Sequence, residues 1–165
     1  MQFKLIIFDK DKTLVKPKSR GRFVNFPKDQ VLLTGVDEKI RRLREEGVLM
    51  AIATNQGGVS AGHKSLGAAK AELSYVMKLT QIKHGILCPY MGGRRACALT
   101  PDGVEMLQGG EASWRKPGAG MVLWCLKTLG VEPRETLFVG DRPEDQQSAH
   151  SAGCQFRWAK NFFGG

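Results

Sequence analysis

Apolar positions along the 165-residue chain fall into short runs alternating with helical stripes. Phe3 to Phe8 is a short apolar run of the kind that forms a strand buried on both faces. Residues 15–30 are rich in Lys, Arg, Pro, Gly and Asn and read as a loop. From Val36 to Glu46 the residues Val36, Ile40 and Leu43 keep helical spacing, and Gly47 supplies the stop. "VLMAIAT", Val48 to Thr54, is a second buried strand. Residues 65–81 carry Ala69, Leu73, Val76 and Met77 at helical spacing, and "GILCPY" is a short third strand. Residues 91–113 show little periodicity and several Gly-containing breaks, so they read as an irregular loop. Pro117 opens a helix with Val122, Cys125, Leu126 and Leu129 on one face and Gly130 just past its end. "TLFVGD" is a strand, Pro143 to Ala152 a short helix stopped by Gly153, and "CQFRWA" a closing strand.

This alternation predicts one α/β domain over residues 1–165, with a central, mostly parallel sheet and helices on both faces. Ligands of such sheets bind outside the carboxyl ends of the strands. The polar groups at those ends are Asp9 and Asp11 after the first strand, Thr54 and Asn55 after the second, and Asp141 after a later one.

Composition adds boundaries. At 42% hydrophobic and 25% charged residues, the chain is of ordinary globular make-up rather than disordered. No stretch approaches the roughly 20 apolar residues that span a bilayer. The N-terminus lacks the apolar region and cleavage site of a signal peptide, so no membrane contact and a cytoplasmic setting are expected. In that setting Cys88, Cys97, Cys125 and Cys154, which show no disulfide-like spacing, are read as reduced. The net charge of +9 favours phosphorylated or polyanionic partners. The sequence carries no signal for oligomeric state.

Asp9, Asp11 and Asp141 would bring three carboxylates to one sheet edge, which is costly without a counter-charge. Mg²⁺ prefers such oxygen ligands and keeps positions open for a phosphate oxygen. The structural alternative is that Asp11 and Asp141 cap the turn and helix that follow them.

"DKDKT" resembles the DxDxT signature of the haloacid dehalogenase superfamily. "ATNQGG", "RKPGAGM" and "FVGDRPED" resemble its second, third and fourth motifs, in the same order and at the same element ends. "TNQGGVSAG" and "RKPxxGM" further resemble the compact branch of histidinol phosphatases, heptose-bisphosphate phosphatases and polynucleotide 3′-phosphatases, which lacks a large cap domain. The resemblance implies a Rossmann-like three-layer sandwich and a Mg²⁺-dependent phosphatase. In it Asp9 is the nucleophile that becomes an aspartyl phosphate, and Asp11 the general acid and base. It also implies metal ligation by Asp9, the Asp11 backbone carbonyl and Asp141. Thr54, Asn55 and the following amides would hold phosphate, Lys116 would neutralise Asp9 and the transferring group, and Asp145 would orient Lys116 or a metal-bound water.

Lys10 matches the basic residue common at that position in heptose-type members. Lys12 stands where the family usually has Gly, which accommodates a tight turn; a lysine fits if its φ stays negative, and otherwise the loop is reshaped. "GVSAGHKS" misses the nucleotide-binding pattern GxxxxGK[ST] by one residue, and His63 and Lys64 are expected on the surface. Of the zinc loop found in many relatives only Cys88 and Cys97 remain, with Tyr90 and Leu99 where ligands would stand, so zinc is not expected.

From Lys12 to Lys28, both included, there are six Lys or Arg residues and no acid, where the architecture places a flap over the site. Arg20 and Arg22, with Lys10 and Arg115, are candidate substrate contacts. Phe23 and Phe26 could stack on a base, but anchoring of the flap in the core is the stronger expectation. Charge and the missing zinc ligands favour a nucleic-acid 3′-end as substrate. The alternatives are a sugar bisphosphate and a non-catalytic phosphate- or nucleic-acid-binding module.

Overall fold

The first strand, β1 (Leu5–Phe8), is wholly buried and lies near the middle of a seven-stranded sheet. The computed structural model describes residues 2–164. After β1 come β2 (Val15–Pro17), β3 (Gln30–Leu32), α1 (Val36–Glu45), β4 (Leu49–Asn55), α2 (Leu66–Thr80) and β5 (Gly85–Cys88). Then follow β6 (Arg95–Thr100), β7 (Gly103–Gln108), α3 (Gly120–Leu129), β8 (Thr136–Gly140), α4 (Pro143–Ser151), β9 (Gln155–Trp158) and α5 (Ala159–Phe162). The strand order is β7-β6-β5-β4-β1-β8-β9. β5, β4, β1, β8 and β9 run parallel, and β6 and β7 extend the sheet antiparallel.

Both faces are covered, so the two-residue alternation of each strand serves two cores. Ile6, Phe8, Ile52 and Val139 face α1, α2 and α5 through Val36, Ile40, Leu73, Val76 and Phe162. Leu5, Ile7, Ala51 and Phe138 face α3 and α4 through Met121, Val122, Cys125 and Ala149. This is the mostly parallel sheet between helices that the pattern predicts, and the Rossmann-like three-layer sandwich that the resemblance implies. Among the described residues no insert of domain size interrupts it, and none of the helices is long and apolar enough to cross a membrane.

Three expectations change. Residues 91–113 are not an irregular loop but contain the hairpin β6–β7, whose pairs run from Arg95↔Gln108 to Thr100↔Gly103. Its glycine turns conceal the buried run Ala96–Leu99, and in the edge strand β7 the apolar Val104 and Met106 face solvent. Residues 15–30 are not all loop, because β2 and β3 pair antiparallel at the base of the flap. Pro117 does not open α3. It follows a cis Lys116–Pro117 bond, and the helix begins at Gly120. Gly118 and Gly120 pack against the Ser113 carbonyl so closely that a Cβ would stand 2.5 and 2.7 Å from it, which explains the glycines of this turn.

Register sets the functional edge. Phe8 is level with Ile52 of β4 and Val139 of β8, so the residues just beyond these strands emerge side by side.

Candidate active site

Lys116 is 3% exposed, and its ammonium meets three acceptors: Asp9 Oδ1 at 2.8 Å, the Ala53 carbonyl at 2.9 Å and Asp145 Oδ1 at 2.7 Å. Burial opposes its charge, but Asp9 and Asp145 overcome this and raise its pKa. Asn55 fixes the main chain of the same residue. Its amide donates to the Lys116 carbonyl and accepts from the Lys116 N–H, both at 3.0 Å. The Asn55 side chain thus ties its own strand end to Lys116 on both sides.

Asp145 is equally committed. Its Oδ2 accepts from the N–H groups of Asp141 and Arg142, both at 3.1 Å, at the start of α4. The turn exists because Gly140 has no Cβ, which would stand 2.4 Å from that oxygen. Asp145 thus touches both Lys116 and the turn before α4.

Asp9 turns Oδ1 to Lys116 and Oδ2 to Thr13 Oγ1, which donates at 3.3 Å; Asp141 Oδ1 lies 3.5 Å from the same hydroxyl. Asp9, Asp141 and Asp145 each offer an oxygen within 4.8 Å of the others. Burial pushes the Asp9 pKa up to about 7, with Lys116 only partly offsetting it and the neighbouring carboxylates adding to it. Two adjacent carboxylates with oxygen donors alone suit a hard divalent cation, which would restore the charged form of Asp9.

Asp11 points elsewhere. It accepts from Lys10 Nζ at 2.9 Å on Oδ1 and from Gln56 Nε2 at 3.0 Å on Oδ2. Burial works against its charge, but Lys10, Gln56 and Lys64 together hold its pKa below the ordinary aspartate value. Lys10 is fully buried and also donates to Gln30 Oε1 at 2.6 Å, so it contacts Asp11 and not substrate, contrary to expectation. Thr54 is 1% exposed and accepts from Gln56 at 2.9 Å. The N–H groups of Gly57 and Gly58 just beyond it find no acceptor among the described residues.

Arg115 borders this loop. Its Nη1 is buried without a hydrogen-bond partner and lies 3.1 Å from where a Gly57 Cβ would be. Arg20 and Arg22 are exposed on the flap, with the Arg22 guanidinium 5.6 Å from the Phe23 ring centre. Phe23 and Phe26 do not anchor the flap, being 73% and 56% exposed; Val24 between them is the buried residue. The flap is organised instead by Asp29, 1% exposed, which accepts from Ser19 N–H, Ser19 Oγ and Asn25 N–H.

Lys12 keeps φ at +65°, so a lysine adopts the left-handed turn normally given to glycine. The condition of a negative φ is not met, yet the turn forms with Lys12 N–H on the Val15 carbonyl at 2.8 Å. His63 is exposed as expected, but Lys64 is not: it pairs with buried Glu72 at 2.6 Å. Cys88 and Cys97 are buried thiols in β5 and β6, with pKa values raised by burial. Gln30, Gln56, Glu72 and Asp29 were not singled out from sequence. Glu72 carried a signal, a charged residue three positions after Ala69 on the apolar face of α2.

The family model described as polynucleotide kinase 3 phosphatase matches residues 4–163. The D-glycero-β-D-manno-heptose-1,7-bisphosphate 7-phosphatase of Haemophilus ducreyi is 27% identical over 152 residues, covering 92% of this chain and 80% of that protein. A cognate phosphatase of Thermosynechococcus vestitus is 25% identical over 132 residues, covering 80% and 67%. Among solved structures, D,D-heptose 1,7-bisphosphate phosphatase from B. bronchiseptica, complexed with magnesium and phosphate, has a TM-score of 0.67 at 28% identity and covers 93% of this chain and 78% of that one. A haloacid dehalogenase-superfamily hydrolase from Ehrlichia chaffeensis shares the fold, with a TM-score of 0.62 at 21% identity over 94% and 86%.

Proposed function

The chain belongs to the polynucleotide kinase 3 phosphatase family, a capless phosphatase branch of the haloacid dehalogenase superfamily, and we propose that it is a Mg²⁺-dependent phosphatase acting on a small sugar bisphosphate. The observation that carries the substrate class is Arg115. A buried guanidinium N–H without an acceptor is costly, and a second anionic group on the substrate would supply one. The heptose-bisphosphate phosphatases among its relatives support the same reading over the nucleic-acid end favoured by charge alone.

Asp9 Oδ attacks phosphorus, forming the aspartyl phosphate as the bond to the leaving oxygen breaks. Asp11, which must enter the step protonated against the donors that lower its pKa, gives that oxygen its proton and then removes one from the water that hydrolyses the acyl phosphate. Lys116 holds Asp9 in place and offsets charge on the transferring group. Thr54 and the free amides of Gly57 and Gly58 receive phosphoryl oxygens. Asp9, Asp141 and the Asp11 carbonyl would hold Mg²⁺, which, when bound, neutralises the carboxylates and the phosphate.

Turnover of a sugar bisphosphate, the matching monophosphate and a 3′-phosphorylated oligonucleotide at several salt concentrations tests this. The bisphosphate should have the highest kcat/KM, and Arg115→Met should lower the preference for bisphosphate over monophosphate by about tenfold or more. Preference for the oligonucleotide, with KM rising steeply with salt, would instead support the second reading, for which the exposed Phe23 and Phe26 on a basic flap speak. An inert wild type with aryl phosphate and Mg²⁺, equal to Asp9→Asn, would favour a binding module.

A further inference from the structure

Both oxygens of Asp11 are held, and both holds lead back to one residue of α2. From Oδ2 the path runs through Gln56 Nε2, then from Gln56 Oε1 to Lys64 Nζ at 3.5 Å, and from Lys64 to Glu72 Oε1 at 2.6 Å. From Oδ1 it runs through Lys10 Nζ to Gln30 Oε1 at 2.6 Å, and from Gln30 Nε2 to the Glu72 carbonyl at 3.0 Å. The six residues form a closed ring.

The chemistry of its members fixes its direction. A lysine ammonium donates and cannot accept. Lys64 therefore requires the oxygen of Gln56 to face it, which aims the Gln56 amide nitrogen at Asp11 and Thr54. Lys10 orders Gln30 by the same rule, leaving its nitrogen for Glu72. The Asp11 side chain itself is 46% exposed and, without these partners, free to rotate. A buried ion pair such as Lys64–Glu72, with side chains 18% and 2% exposed, adds little stability over apolar residues of like volume. Its worth here is geometric.

We propose that Lys64 and Glu72, acting through Gln56, are positioning residues that hold the Asp11 carboxyl on the leaving-group oxygen. The failed nucleotide-binding pattern "GVSAGHKS" thus supplies a lysine to the acid–base machinery rather than to a nucleotide. This inference rests on the phosphatase reading above.

The test exploits leaving-group chemistry. A nitrophenolate departs without a proton, whereas a sugar alkoxide needs one from Asp11. kcat/KM reads transfer to Asp9, the step in which Asp11 is the acid. Lys64→Met should lower kcat/KM on the sugar phosphate by about tenfold or more and on p-nitrophenyl phosphate by only about two- to threefold. Lys64→Arg, which keeps a donor, should recover most of the loss. The double variant Lys64→Met/Glu72→Leu removes the pair without leaving a lone buried charge, and it should show the same substrate-dependent loss with an unfolding midpoint near that of wild type. Equal losses on both substrates, or wild-type ratios in the folded double variant, overturn the proposal while leaving the phosphatase reading intact. An inert wild type overturns both.

Discussion

At the carboxyl ends of β1, β4 and β8 the charged groups are tied to one another: Lys116 to Asp9 and Asp145, Asp145 to the turn before α4, Asp11 to Lys10 and Gln56. On the flap, by contrast, Arg20, Arg22 and Lys28 extend into solvent beside exposed aromatic rings, and a single carboxylate, Asp29, holds the loop together. The first region spends its charges on geometry. The second keeps them available. Chemistry that must recur identically at each turnover belongs in the first, and selection among substrates can reside in the second.

The largest effect should come from the tied region. Asp9→Asn should lower kcat by at least about 10⁴-fold, because on the proposed mechanism it removes the nucleophile outright; single-turnover assays for the aspartyl phosphate measure it. Lys116→Met should cost both activity and fold. It leaves Asp9 and Asp145 facing each other, with about 3–5 kcal/mol of destabilisation expected from breaking a buried pair, readable in denaturant unfolding. If this variant kept wild-type stability, the claim that these charges are structurally committed would fail.

The flap should respond more gently. Asp29 accepts the Asn25 N–H, its largest stabilising contact, along with the Ser19 N–H and hydroxyl, and its pKa lies below the ordinary 3.8. Its contribution is therefore complete above that value and is lost as pH falls through the lower folded pKa. Hydrogen exchange should show the Ser19 and Asn25 amides losing protection there, and in Asp29→Asn at neutral pH, while β1 stays protected. Neutralising Arg20 and Arg22 together should change kcat/KM for a sugar bisphosphate by less than about threefold, as exposed charges usually do. A larger loss would show that the flap grips substrate.

The smallest effect concerns the turn between the two regions. Lys12→Gly should relieve about 1 kcal/mol of left-handed backbone strain and raise Tm by about 2–4 °C.

Asp9 and Asp141 were legible in the sequence because each follows a buried strand, and Lys116 through the resemblance of "RKPGAGM" to the family's third motif. Strand ends are where a parallel sheet gathers its chemistry. The partners of Asp11 were not legible. Gln30 and Gln56 sit in or beside segments without periodic signal, and only the fold brings them within 3 Å of their partners. Lys10 was misassigned because a basic residue next to two acids looks like a substrate contact, whereas burial turns it inward. The β6–β7 hairpin escaped for another reason. Its outer strand faces solvent along nearly its whole length, so its apolar residues Val104 and Met106 mark no buried face.

The register that aligns Phe8 with Ile52 and Val139 draws together groups just past residues 8, 52 and 139, far apart along the chain. A nascent chain still tethered to the ribosome at β8 therefore has Asp9, Thr54 and Lys116 but no Asp141 or Asp145. Competence arrives only once β8 and the turn after it have been made and non-local strand pairing closes. Its onset can be timed against chain length with stalled translation products, as a direct gauge of when the sheet completes.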